Sequence, residues 1–266
     1  MSRTYTTVGI NLKAMPLGET DRLLSVLSRD RGLLKLVAPH CRGSRSKLGG
    51  RVDLFVVNQL FISKGRSLDR ILQAETVMTY HGLTAQLARI TAAQYLGEVV
   101  LYQSNHPQPQ PELFDLLCAT LDHLQQVASR DALAVLLRSL YQLLELGGIA
   151  PQWHHCSDGG GELQVPSADS DWRLGFSFAA GGLLATGRGD RLLTAHEVRL
   201  GQWLAAPPTH ALGLREFLEA SRAYPLSVWL SLERVVRQYV QFHLDKVLRV
   251  PPLLDACFSP LTVPQP

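Results

Sequence analysis

Four cations stand in the stretch PHCRGSRSKLGGRVD: Arg42, Arg45, Lys47 and Arg51, spaced by glycine and serine, with no acid before Asp53. A guanidinium grips phosphate oxygens in pairs and an ammonium acts as a point charge, so such a loop suits a polyanion whose path varies. Reading base edges needs rigidly held side chains, which this composition does not supply, so the binding expected is independent of sequence. Residues 1–75 hold 13 Lys and Arg against 6 Asp and Glu, whereas the remainder holds 13 against 17. That asymmetry describes one basic module on a near-neutral body, or equally a basic face that serves only solubility. Arg29, Arg31 and Lys35 precede the loop, and Lys64, Arg66 and Arg70 follow it in the next tight turn. The candidate nucleic-acid contacts are therefore Arg29, Lys35, Arg42, Arg45, Lys47, Arg51, Lys64 and Arg66. A second basic set, Arg234, Arg237, Lys246 and Arg249, lies in two pairs three residues apart, a spacing that shares one helix face.

Other chemistry is thinly represented. Asp169 and Asp171, His196 and Glu197, and the run His154-His155-Cys156 are the candidates for metal-assisted or nucleophilic catalysis. Aspartates in a turn-rich loop commonly cap turns, Glu197 has the spacing of a helix cap, and no Walker loop, H-E-x-x-H or G-x-S-x-G is present. The expectation is a protein that is not an enzyme and carries no cofactor. Cys41, Cys118, Cys156 and Cys257 stand far apart and read as unpaired thiols. No apolar run approaches the roughly 20 residues that span a bilayer. MSRTYTTVGINLK lacks the features of a signal peptide, so no membrane contact and a cytoplasmic chain are expected.

The elements that must hold these residues follow from periodicity. Val8, Ile10 and Leu12 alternate with polar residues, and DRLLSVLS, GLLKLVA, DLFVVNQLFI and DRILQAE follow, each bounded by a turn signal. Five strands in so short a length suit a small barrel, of OB type or nearly as well of SH3 type. Tyr5, Phe55 and Phe61 are its aromatics, and Phe55 and Phe61, inside an apolar strand, are expected in the core. Past Tyr80 the spacing turns helical: Leu83 to Val100, Pro111 to Leu124, and Leu133 to Leu144 with Asp131 as N-cap and Gly147-Gly148 as the stop. Thr194 and Glu197 predict a capping box, and helices are expected over about 213–223 and 226–250. The fold class is α+β. It comprises a barrel (1–80), a helical bundle in two parts (81–150 and 191–250), an interrupted insert (151–190) holding at most a hairpin packed by Trp172, Phe176 and Phe178, and an extended proline-rich tail (251–266).

GETDRLLSVLSRDRGLLKLVAPHCRGSRSKLGGRVDLF resembles the opening of the RecO family of DNA-repair mediators. The shared order is Gly18-Glu19-Thr20-Asp21, then Asp30-Arg31-Gly32 before an apolar strand, then the basic Arg42-Gly43-Ser44-Arg45. Ile71 to Glu75 resembles the end of that barrel, Leu143 to Pro151 the helix end before the family's insert, and Val236 to Val250 its closing helix. The resemblance implies an OB barrel that binds single- and double-stranded DNA, strand annealing, and partnership with RecR and the single-stranded DNA-binding protein. The partner's acidic tail would meet Arg234, Arg237, Lys246 and Arg249, unless these form a solvated helix face. It also implies a zinc-ribbon-like insert with two C-x-x-C pairs. Here Cys156 stands at the first position, Gly159 at the second, and the others fall near Ala185 and Arg188. A structural zinc needs four thiolate or imidazole ligands, and His154 and His155 adjoin Cys156 too closely to converge with it, so no metal is expected. An RNA-binding or ribosome-associated adaptor built on the same barrel is the alternative that only the resemblance disfavours.

Overall fold

Five strands form where the alternation predicts them: β1 (Thr4–Leu17), β2 (Asp21–Ser28), β3 (Gly32–Ala38), β4 (Val57–Ser63) and β5 (Asp69–Met78). They close in the order β1-β2-β3-β5-β4, with β4 antiparallel to β1 and β3 parallel to β5. The parallel closing pair excludes a simple meander and makes this the OB-type barrel. Gly32 shows why the Asp30-Arg31-Gly32 turn takes glycine: its φ is +70°, and a Cβ there would meet the Gln108 carbonyl oxygen at 2.3 Å. The computed structural model describes residues 3–43, 46, 48–104, 108–159, 163–166 and 171–258. It divides into two units, one drawn from Met1–Ala85 and Gly97–Gln125, the other from Gln86–Leu96 and Gln126–Pro266.

The barrel interior is Leu24, Val26, Leu36, Leu60, Ile62, Ile71 and Ala74, and three residues of the basic connection, Cys41, Leu48 and Val52, complete it. Phe55 is buried as expected, but Phe61 is 41% exposed. The reason is register: β4 begins at Val57, so Leu60 and Ile62 point inward and Gln59 and Phe61 outward.

Helices follow as α1 (Leu87–Gln103), α2 (Pro111–Gln126), α3 (Ser129–Leu146), α4 (Ala195–Ala205), α5 (Pro207–Ala211), α6 (Leu214–Ser221), α7 (Leu226–Leu244) and α8 (Pro251–Phe258). The N-cap of α3 is Ala128, and Asp131 sits in the first turn instead. The capping box at Thr194 and Glu197 forms as its spacing predicts. The closing helix stops at Leu244, short of Val250, because Asp245 takes a left-handed conformation (φ +49°) and the Gln241 side chain accepts the Leu248 amide at 2.8 Å. Pro251 and Pro252 open α8 where an extended tail was expected. Proline at the first helical positions sacrifices no hydrogen bond, since those amides have no intrahelical acceptor. Residues 259–266 lie outside the described set.

The insert exceeds the expected hairpin. That hairpin, β7 (Arg173–Ser177) with β8 (Gly182–Leu184), is flanked by β6 (Gln152–Cys156) and β9 (Arg191–Thr194) in the order β6-β8-β7-β9. Phe176 is fully buried, with its ring centroid 5.2 Å from that of Trp153 and 5.7 Å from that of Tyr239. Trp153, rather than Trp172, supplies the principal ring.

Candidate nucleic-acid interface

The described ends of the basic connection, residues 41–43 and 48–53, are folded onto the barrel. The side-chain amide of Asn11, fully buried, donates to the Arg51 and Asp53 carbonyls at 2.7 and 3.0 Å, and Asn58 donates to the Arg51 carbonyl at 2.8 Å. With Leu48 and Val52 in the core, residues 48–53 pack against the barrel interior, and the buried Asn11 and Asn58 amides satisfy their turning backbone. Its exposed Arg42 reaches back to the β1–β2 turn, donating from Nη1 to the Gly18 carbonyl at 3.0 Å. The Arg51 side chain is exposed. Arg45 and Lys47 lie outside the described residues.

Ion pairing sorts the remaining cations. Arg29 grips Asp115 through two bonds of 3.0 and 2.8 Å, so its charge is matched where a phosphate contact was expected. That bond holds the Asp115 carboxyl below its usual range. Arg70 pairs with Asp21 at 3.3 Å and Arg22 with Asp53 at 3.6 Å. Arg3, Lys13, Lys35, Arg42, Lys64 and Arg66 have no acidic partner among the described residues.

Two groupings result. On the outer face of β1, β2 and β3, Lys13 stands opposite Ser25 and Ser25 opposite Lys35, a row across three strands. Lys35 Nζ donates to Ser25 Oγ at 2.6 Å, and burial together with neighbouring Lys13 pushes the Lys35 ammonium below its ordinary pKa. Two like charges side by side, neither paired with an acid among the described residues, favour any anion that joins them. Sequence reasoning missed Lys13, although its place at an outward position of a strand was the available signal.

The second grouping centres on Tyr5. The Arg31 guanidinium carbon lies 4.4 Å and Lys64 Nζ 6.0 Å from its ring centroid, within cation–π reach. Asp69 organises this corner: one oxygen accepts from the Tyr5 hydroxyl at 2.6 Å and the other from the Gly65 amide at 3.1 Å. Burial, then Asp69, pushes the Tyr5 hydroxyl well above its usual pKa. Arg66 is exposed in the same turn. Strands 2–3 and the β1–β2 and β4–β5 loops are where OB barrels receive oligonucleotides. Lys35, Lys64 and Arg66 fall on those parts, and Arg42, from the β3–β4 connection, reaches the β1–β2 turn.

The second basic set does not survive as one surface. Arg237 is enclosed by Glu233, at 3.0 and 2.6 Å, and Asp255, at 2.8 and 2.9 Å, with Glu233 fully buried. Lys246 and Arg249 lie beyond the end of α7, so they share no helix face with Arg234 or with each other. Lys246 lines a shallow hollow with Phe178, Gln238, Phe242 and Val247, where Phe242 and Val247 are 52% and 79% exposed.

Asp169 lies outside the described residues, and Glu197 is taken up by the cap of α4. Among the described residues no three His, Cys, Asp or Glu side chains converge as metal ligands, and no helix is long and apolar enough to cross a membrane.

Comparison with known proteins gives two family matches, to Recombination protein O N terminal over residues 1–80 and Recombination protein O C terminal over residues 85–251. A DNA repair protein RecO of Thermosynechococcus vestitus is 68% identical, with all of both chains covered. Proteins of the same description from Cyanothece sp. and Gloeobacter violaceus are 44% and 41% identical, covering 98% of this chain and 99% and 97% of theirs.

Proposed function

Because the chain belongs to the RecO family of DNA repair proteins, we propose that its barrel binds single- and double-stranded DNA without sequence preference and anneals complementary strands. The observation that carries this reading is the Lys13–Ser25–Lys35 row, two cations left without an acid among the described residues on the face where OB barrels bind. Phosphates would bridge that row, with Lys64, Arg66 and Arg42 extending the interface along the backbone. Annealing asks no more of the protein than this, since screening like-charged strands lets base pairing do the recognition. No catalytic step is required, and the protein acts in the cytoplasm as a mediator that helps load recombinase with RecR. The hollow beside Lys246 suits a tail that ends in acidic and apolar residues, such as that of the single-stranded DNA-binding protein. Arg237 is withdrawn from that surface because its charge is already matched.

Binding to a labelled single strand across a salt series tests the reading. Removing one phosphate-neutralising cation flattens the log–log slope by about 0.7 on single strands, so Lys13→Ala with Lys35→Ala is expected to flatten it by about 1.4 and to slow annealing. An unchanged slope would remove this face from the interface. Competition by RNA of the same sequence, expected to be weaker, separates DNA from the RNA-adaptor alternative.

A further inference from the structure

The insert lacks the cysteine pairs that the resemblance implies, and its geometry offers another tie between the same two turns. Of the four zinc-ligand positions that the resemblance implies, only Cys156 bears a ligand, and its thiol is buried. Gly159, at the second position, has φ +98°, a backbone that L side chains rarely adopt, so a cysteine there would be strained. The residues present do not fit a tetrahedral zinc. Yet the two turns that would face each other across a metal are joined. The Asp158 carboxylate crosses from the turn after β6 to the turn after β8, accepting from the Ala185 amide at 2.8 Å and from the Thr186 amide at 3.2 Å. Those two successive amides form a small concavity, of a kind that binds anions and lies near the third expected ligand position. Strand pairing brings the turns to this register: the Ser157 amide donates to the Leu183 carbonyl at 2.7 Å, just before each chain turns.

We infer that in this protein an internal carboxylate clasp, Asp158 on the Ala185 and Thr186 amides, does the cross-linking that the implied metal would do, so the insert folds and stays closed without metal. One carboxylate can substitute because closing the insert needs only a fixed anion at the amide concavity. Trp153 and Phe176 already supply the apolar packing beneath the sheet. The clasp is independent of what the barrel binds.

The full-length chain tests this directly. Metal analysis of the purified protein is expected to find no stoichiometric zinc, and excess EDTA is expected to leave the thermal midpoint unchanged. Asp158→Ala should raise hydrogen exchange at Ala185 and Thr186 by about tenfold, the loss of one charge-assisted hydrogen bond, with little change in β1–β5. Asp158→Asn, which keeps one acceptor, should fall between. One zinc per chain, a midpoint lowered by EDTA, or unchanged exchange at both amides in Asp158→Ala would each overturn the inference. Should Asp158→Ala fail to fold, chelation of the wild type and exchange in Asp158→Asn still decide it, because protection equal to wild type in Asp158→Asn refutes the clasp.

Discussion

Arg237 and the Lys13–Lys35 pair are equally basic in sequence and opposite in fate. Arg237 is enclosed by two carboxylates and joins α7 to α8, whereas the lysines lie beside one another, with no acid paired to either among the described residues. A cation becomes a binding group only where the fold leaves its charge unmatched. Where acids surround it, the same group is a structural tie, and removing it leaves a carboxylate without compensation. Arg29, matched by Asp115 on an exposed surface, falls between the two.

The largest effect that would test this contrast is Arg237→Ala. It strands the fully buried Glu233, so a loss of about 3–5 kcal/mol is expected in denaturant unfolding. DNA binding by the folded fraction should keep its salt slope, and a flattened slope would show that Arg237 had touched DNA after all.

Acid provides a gentler route to the same tie. Hydrogen bonds from Arg237 hold the Asp255 carboxyl below its ordinary pKa of 3.8, outweighing partial burial. A depressed carboxyl contributes stability above its unfolded value and loses it as pH falls through the folded one. Exchange protection of α8 should therefore hold above pH 3.8 and decline below it. Because Asp255 is partly exposed, the contribution is about 1 kcal/mol or less.

On the opposite side of the comparison, Lys13→Glu supplies the missing acid beside Lys35. Stability should rise slightly, by at most about 1 kcal/mol, while DNA affinity falls and the salt slope flattens. A destabilised variant that still bound DNA would break the argument from unmatched charge. The smallest effect belongs to Arg29→Ala, a solvent-screened surface pair, expected to shift the denaturation midpoint least of these variants and to leave the salt slope unaltered.

Much of the architecture was legible because it rests on local pattern. Apolar runs bounded by turn signals placed β2 and β3, the alternation of Val8, Ile10 and Leu12 placed the middle of β1, and the Thr194–Glu197 spacing gave the start of α4. In two places where local pattern misled, a partner outside the local period had intervened. Gln241 captured the Leu248 amide and ended α7 early, and Trp153 displaced Trp172 as the principal ring beneath the insert sheet. Of the candidate interface, the sequence showed the basic module but not which of its arginines the fold pairs with acids.

By itself the sequence determined the barrel, the helical bundle and the excess of positive charge in the first module, since strand period, helix period and net charge are properties of neighbouring residues. Only the tertiary structure decided which charges remain available. Whether Lys13 meets Lys35, whether Arg237 meets Asp255 and whether Asp158 reaches the Ala185 amide depend on register and packing between segments far apart in the chain. A hydrogen bond forms only at contact and charge–charge energy weakens with separation and is screened beyond about 8–10 Å, so both answer to distance in space and not to position along the sequence.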